Sequence, residues 1–237
     1  MTTPARTKAP SSARSCPAIG ALEAAPIANP LSEKFAVLRP SLLSGLVDAC
    51  AHNRRRERKD IRLFEAGSRF TSDGEGRAVA FVWSGAADAP HWSAPSRNVD
   101  FFDVKGVVDG ICDAVGIAPE FAPAQVGFLV PGQAAELRAP GITTALGVVG
   151  KLVPAIVEAR GFPAAEGVFA AEIDLRALTI ASGASDRLVD ALPRYPSIVR
   201  DISMLVDDTL PAATVRGTIR SAAPSTLVAI AEFDRYQ

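Results

Sequence analysis

The spacing of apolar and polar positions divides the chain into segments with different periods. From Pro40 the period is helical: Leu42, Leu43, Leu46, Val47 and Cys50 recur at i, i+3 and i+4 and form one stripe. This predicts a helix that runs out in Arg54, Arg55, Arg56, Arg58 and Lys59. Ile61 to Phe64 reads as a short strand, with Gly67 and a Ser72–Gly74 turn following. Val79 to Trp83 is a second strand, after which Pro90 and Pro95 break residues 86–99 into a loop. Val104, Val107, Val108, Ile111, Cys112 and Val115 hold the clearest one-sided stripe, and Gly116 supplies a left-handed stop. Strands are predicted around Phe128–Val130, Ala135–Leu137, Thr144–Val149 and Val168–Leu175. A short helix over Pro154–Arg160 has proline in its first turn and Gly161 past its end. Strands and helices that do not strictly alternate argue for an α+β domain on a largely antiparallel sheet.

A second unit follows the polar stretch Ser182–Asp190. Ile202–Val206 and Leu227–Phe233 read as strands around a helix over Ala213–Ala222, with Val215 and Ile219 facing inward and Phe233 buried in the sheet. One βαβ unit buries little and leaves sheet edges bare, so the chain is expected to stop in mid-domain. Residues 1–28, rich in Pro, Ala and Ser, are expected to be disordered or irregular, with ordered structure starting near Leu31. Arg6, Lys8 and Arg14 have no apolar core behind them, so the segment is not expected to be a secretory signal. The expected organisation is therefore 1–28 irregular, 29–190 one domain and 191–237 the start of another.

Composition narrows the functional classes. With 48% hydrophobic and 22% charged residues the chain reads as an ordinary soluble protein. A formal net charge of -1 gives no global attraction to nucleic acid, so any RNA contact must be a local patch. Cys16, Cys50 and Cys112 lack the paired spacing of a zinc or redox motif and read as small buried apolar groups in a reducing compartment. No run is long and apolar enough to span a bilayer. Paired acids for glycoside chemistry, a nucleophile triad, a P-loop and a dinucleotide glycine fingerprint are missing as strings.

Six strings occur in order: NPLSEKFAVLRPSLLSGL (Asn29–Leu46), DIRLFEAGSRF (Asp60–Phe70), HWSAPSRNVDFFDVKG (His91–Gly106), LGVVGKLVP (Leu146–Pro154), VFAAEIDLRAL (Val168–Leu178) and YPSIVRDISMLVDD (Tyr195–Asp208). Together they resemble the beta subunit of bacterial phenylalanyl-tRNA synthetase, over residues 29–237. The resemblance implies a class II synthetase-like antiparallel sheet with helices, then a truncated ferredoxin-like βαβ unit of an anticodon-binding domain. It implies a non-catalytic portion of a cytoplasmic phenylalanine–tRNA ligase. Its partners would be an alpha subunit, in a heterotetramer of two alpha and two beta chains, and tRNA(Phe), with no membrane. ATP and Mg²⁺ would serve the whole enzyme, and this chain would hold no cofactor or metal. In catalytic class II subunits the strand matching DIRLFEAGSRF is followed by a phosphate-gripping arginine; here Thr71 follows Phe70. A neutral hydroxyl cannot replace that always-charged clamp. The strand matching VFAAEIDLRAL carries Ala170, Ala171, Glu172 and Asp174 where close nucleotide approach favours glycine, and the acids are expected to repel triphosphate. Arg176 is the one residue left as a conceivable ATP-site remnant. The chain also departs from the beta family at Val130, Lys151 and Val153.

No catalytic residue is assigned. The RNA-binding candidates are Arg194, Arg200, Asp201, Arg216, Arg220 and Tyr236, all on the second unit. For Arg200 and Asp201 two readings stay open: an RNA contact, or a structural pair where a strand begins. The run Asn53–Lys59 offers phosphate contacts, but no aromatic side chains interleave for base stacking. A solvated helix C-terminus complementing the dipole is the expected reading there. Asp103 and Lys105 are expected as an ion pair or cap at a helix start, and His91–Trp92 as a packed loop anchor. A free-standing RNA-binding or regulatory protein without ligase activity is the alternative.

Overall fold

A computed structural model of the chain describes residues 25–32, 36–71, 74–93, 95–163, 165–183, 195–207 and 209–234. The chain divides into two compact units, Met1–Asp186 and Arg187–Gln237.

In the first unit the predicted stripe forms helix α1 (Leu43–Arg54), whose Leu43, Leu46, Val47, Cys50 and Ala51 are buried. Two eleven-residue strands, β1 (Ile61–Thr71) and β2 (Gly74–Ser84), pair antiparallel from Ile61↔Ser84 to Thr71↔Gly74. Both run longer than the apolar cores Ile61–Phe64 and Val79–Trp83 suggested, because ladder hydrogen bonds carry the polar ends along. Of the predicted turn, Ser72 and Asp73 lie outside the described residues.

Helix α2 (Phe101–Ala114) has its ends written locally. The Asp100 carboxylate accepts from the Phe102 and Asp103 amides, while Asp103 accepts from the Asp100 amide, a reciprocal capping box. At the other end the Ile117 amide donates to the Cys112 carbonyl and Gly116, at φ 76°, donates to Asp113, a Schellman stop. Asp103 is thus a cap, as expected, but it does not pair with Lys105. It takes both guanidinium nitrogens of Arg97 at 2.6 and 2.7 Å, and Lys105 reaches Asp109 one turn on at 2.7 Å.

Strands β3 (Glu120–Pro123), β4 (Leu129–Arg138) and β5 (Gly147–Leu152) come next, then helix α3 (Pro154–Glu158), strand β6 (Val168–Asp174) and helix α4 (Leu175–Ser182). The two strands expected at 128–130 and 135–137 are one. The β4–β5 register shifts between Leu129 and Ala134, around Pro131 and a left-handed Gly132 (φ 80°), so a bulge interrupts the apolar pattern without ending the strand. Short β3, and α4 between the predicted strand Val168–Leu175 and the polar stretch Ser182–Asp190, went unforeseen. Asp174 ends β6 and caps α4, accepting from the Ala177 amide at 2.8 Å.

The six strands form one fully antiparallel sheet in the order β1-β2-β6-β5-β4-β3. One face carries α1 and α3, whose Leu42, Leu46, Val47 and Val157 pack with Ile61, Ala80, Val82, Val168 and Ala170. The other carries α2 and α4, whose Val104, Val108, Cys112 and Leu178 pack with Phe81, Phe169, Ala171 and Ile173. Strand β6 lies between these layers, and Val168 through Ile173 are all buried. Among the described residues, backbone pairing is present ahead of Leu31, where the Ala25 carbonyl accepts from Leu38 with a Pro26↔Val37 bridge beside it.

His91 and Trp92 are no packed anchor. Their rings lie 5.6 Å apart on the surface and Trp92 is 94% exposed. The loop is held by its stem instead, where Ala87 donates to Arg97, Val99 donates to Gly85, and the Asp60 carboxylate accepts from Ala86. Trp83 anchors here: its indole donates to the Ala86 carbonyl at 3.1 Å, and the Arg62 guanidinium lies 4.1 Å over its ring.

In the second unit helix α5 (Ala212–Ala222) forms where predicted, with Val215 and Ile219 its least exposed positions. The flanking strands do not. Residues 202–206 and 227–233 pair with no described strand, and Leu205 and Phe233 are exposed rather than buried. A strand needs a laddered neighbour to satisfy its backbone groups, and among the described residues neither segment has one.

Candidate functional site: a closed ion network on the central strand

The strand that the sequence marks for nucleotide approach, β6, carries a network of charged groups on its α1 face. Glu172 pairs in register with Ala80 on β2 and Val148 on β5, and its side chain is fully buried. The Ser41 hydroxyl donates to one carboxylate oxygen at 2.5 Å, and the Leu42 amide approaches the other at 3.4 Å. Ser41 Oγ also accepts from the Leu43 amide at 3.1 Å. Glu172 and Ser41 together thus take up the amides at the start of α1, where the N-cap Leu42 has no side chain to offer.

Strand alternation brings the countercharges. Glu65, Gly67 and Arg69 project from the same face of β1. Arg69 pairs with Asp174 and lies 3.7 Å from Glu172. Arg39 donates through Nε to the Ser68 carbonyl at 2.9 Å and through NH1 to Glu65 at 2.6 Å. It can lie across β1 because residue 67 is glycine, where a Cβ would come within 2.6 Å of an Arg39 nitrogen. Burial pushes the Glu172 carboxyl above its ordinary value, while the Ser41 hydrogen bond and the Arg69 charge oppose that rise. Glu172 and Asp174 are therefore not a free negative surface that repels triphosphate, as the sequence suggested. They are internally paired and mostly covered. Among the described residues no buried side-chain nitrogen or oxygen lacks a partner.

This arrangement leaves neither face of β6 open. Glu172 faces the start of α1, while Ala171 and Ile173 face the α2 and α4 layer, so both sides of β6 are occupied by the chain's own helices. Thr71 ends β1 opposite Gly74, and Arg176 is exposed on α4. Ser41, Arg39, Glu65 and Arg69 are the members that sequence reasoning missed. The i, i+2, i+4 spacing of Glu65, Gly67 and Arg69 was the legible signal for part of the set. Ser41, 131 residues before Glu172, had none.

The RNA-binding candidates are dispersed. Arg216 and Arg220 share one face of α5 a turn apart, Arg216 3.4 Å from Glu232 and Arg220 beside a pocket of about 220 Å³ with Pro224, Leu227 and Val228. Arg200 and Asp201 are exposed and, among the described residues, form no ion pair with each other. Arg194 and Tyr236 lie outside the described residues. Among those described, no cluster of His, Cys, Asp and Glu is placed to hold a metal, and no helix is long and apolar enough to cross a membrane.

Comparison with known proteins agrees with this architecture. The family described as "Phenylalanyl tRNA synthetase beta chain CLM domain" matches residues 17–175, and "Ferredoxin-fold anticodon binding domain" matches residues 193–237. The phenylalanine–tRNA ligase beta subunit of Geobacillus kaustophilus is 32% identical over 219 residues, covering 89% of this chain and 26% of the relative. The same subunit of Xanthomonas campestris pv. campestris is 36% identical over 217 residues, again 89% and 26%, and that of Haemophilus influenzae 31% over 226 residues, 91% and 27%. The chain spans about a quarter of the length of these relatives. With the antiparallel sheet and these matches in agreement, the chain belongs to the phenylalanyl-tRNA synthetase beta chain family, with residues 17–175 matching its CLM domain and residues 193–237 its ferredoxin-fold anticodon-binding domain.

Proposed function

We propose that this chain serves as a non-catalytic part of a phenylalanine–tRNA ligase beta subunit, docking an alpha subunit and contributing to tRNA(Phe) binding. ATP and Mg²⁺ act on the alpha partner, and the assembly works in the cytoplasm. The observation that supports this reading is the occupation of β6 on both faces, with its carboxylates tied to Ser41 and Arg69. An adenylate-forming site needs open strand surface and fixed positive charge where the phosphates develop charge. At β6 both faces are packed and the nearby Arg69 is paired with the chain's own carboxylates. A stand-alone RNA-binding protein is the less favoured reading, since the family matches run through both units in order.

The test is reconstitution. The chain is mixed with a cognate alpha subunit and passed over a sizing column, and ATP–pyrophosphate exchange is measured for the chain alone. Co-elution and no exchange by the chain alone are expected. Exchange by the isolated chain would refute the non-catalytic assignment, and failure to co-elute would refute the docking role.

A further inference from the structure

We propose that the turn leaving α1, built by Arg55, Arg56, Arg58 and Lys59, is a second RNA-binding surface that grips the phosphate backbone of a folded RNA without reading its bases. The inference rests on the tRNA-binding reading above and adds to it a contact on the first unit.

The sequence offered helix-dipole complementation as the ordinary explanation of the basic run. The structure divides the run and leaves its end, Arg58 and Lys59, outside that explanation. Arg54, the last residue of α1, is the structural member: its Nε donates to both Glu166 oxygens at 3.1 and 2.9 Å, and Ser84 supports Glu166 from β2 at 3.0 Å. The helix ends there. A dipole acts on charges within the last turn and falls off beyond it, so Arg58 and Lys59 lie past its reach.

Between them Glu57 sits at φ 64°, among the described residues the one non-glycine with positive φ. The Arg58 amide folds back onto the Asn53 carbonyl at 3.2 Å. The backbone therefore presents Arg55, Arg56, Arg58 and Lys59 on a compact knuckle, all exposed. None enters an ion pair with another described residue. Of the nearby acids, Asp60 is hydrogen-bonded to the Ala86 amide and Asp48 is paired with Arg160 at 3.0 Å. Beside the knuckle, Asp48, His52, Arg55 and Arg160 line an open recess of about 390 Å³.

Four like charges in five positions repel one another unless a polyanion neutralises them. A chain of net charge -1 that concentrates unpaired cations this way carries the local patch its global balance lacks. No aromatic side chain stands in the run, so recognition is of phosphate spacing, with binding steeply salt-dependent.

The probe is an unmodified tRNA(Phe) transcript, titrated against the full chain across a salt series. The variant Arg55→Gln/Arg56→Gln/Arg58→Gln/Lys59→Gln is expected to lose at least about tenfold in affinity near 0.1 M salt. Its log–log salt slope should fall by about 3, as four lost phosphate contacts at roughly 0.7–0.9 each predict. All four residues are exposed, so the thermal melt should not move. Glu57→Gln, which removes the one carboxylate in the run, should bind several-fold tighter, a gain no folding defect can produce. An unchanged slope and affinity in the quadruple variant, with binding lost instead in Arg216→Gln/Arg220→Gln, would overturn this surface and leave the tRNA-binding reading standing. No binding of the transcript by the unaltered chain at low salt would overturn both. Charge-dependent binding to phosphatidylserine vesicles without binding to RNA would assign the knuckle to a membrane surface and likewise overturn the proposal.

Discussion

Replacing Glu172 by Gln and by Ala separates the two roles a buried carboxylate can have. In the structure Glu172 is an acceptor for Ser41 and for the Leu42 amide before it is a charge, with Arg69 a more distant partner at 3.7 Å. Glutamine keeps one of the two acceptor oxygens and removes the cost of burying a charge, but sets an amide N–H against the other donor, so Glu172→Gln should cost about 1–2 kcal/mol, less than alanine. Alanine leaves buried donors without an acceptor, at about 1–3 kcal/mol each, and opens a cavity between Ala80 and Val148. A combined loss of about 3 kcal/mol is expected, which in a unit of this size lowers the melting temperature by roughly 6–12 °C. The pH dependence adds a second readout. Because the folded state raises the carboxyl pKa above its ordinary 4.5, this group's contribution is fully present below pH 4.5 and is lost as pH rises through the folded value. Circular-dichroism melts of the full chain from pH 4 to 8 should show that loss in the parent and not in Glu172→Gln. Equal destabilisation by Gln and Ala, or identical pH profiles for parent and Gln variant, would refute the capping account.

Other consequences follow from single contacts. Gly147→Ala places a Cβ 2.3 Å from the Glu172 carbonyl oxygen and 2.9 Å from the Ile173 Cα, both backbone, so it should destabilise by roughly 3 kcal/mol or more, seen as a shifted urea midpoint. Asp100→Ala removes the acceptor for two amides of α2 and should cost about 1 kcal/mol in the same assay. The Arg97 guanidinium holds the Asp103 carboxyl below its ordinary 3.8, so that pair's stabilisation is present above this value and fades as pH falls below it. Arg97→Ala should weaken the fade, measured by melts between pH 2 and 6. The Cys50 thiol is buried and pushed up to about 12 by desolvation, with Glu166 adding to the rise. Peptide mapping after iodoacetamide treatment of the native chain should find it unlabelled, and labelled once the chain is unfolded.

Much of the first unit was written locally. The α1 stripe, the stripe and Gly116 stop of α2, and Pro154 with Gly161 around α3 each encode an element within a dozen or so residues, so the sequence alone determined them. Tertiary structure decided what depends on distant partners. It joined two apparent strands into β4 across a bulge, and left 202–206 and 227–233 without a strand neighbour among the described residues. It also turned Glu172 and Asp174 from a repelling surface into paired, covered groups. The physical reason is the range of the interaction. Helix periodicity and caps act over three or four residues, whereas a strand ladder or a buried ion pair takes its energy from residues far along the chain, whose approach no local spacing records.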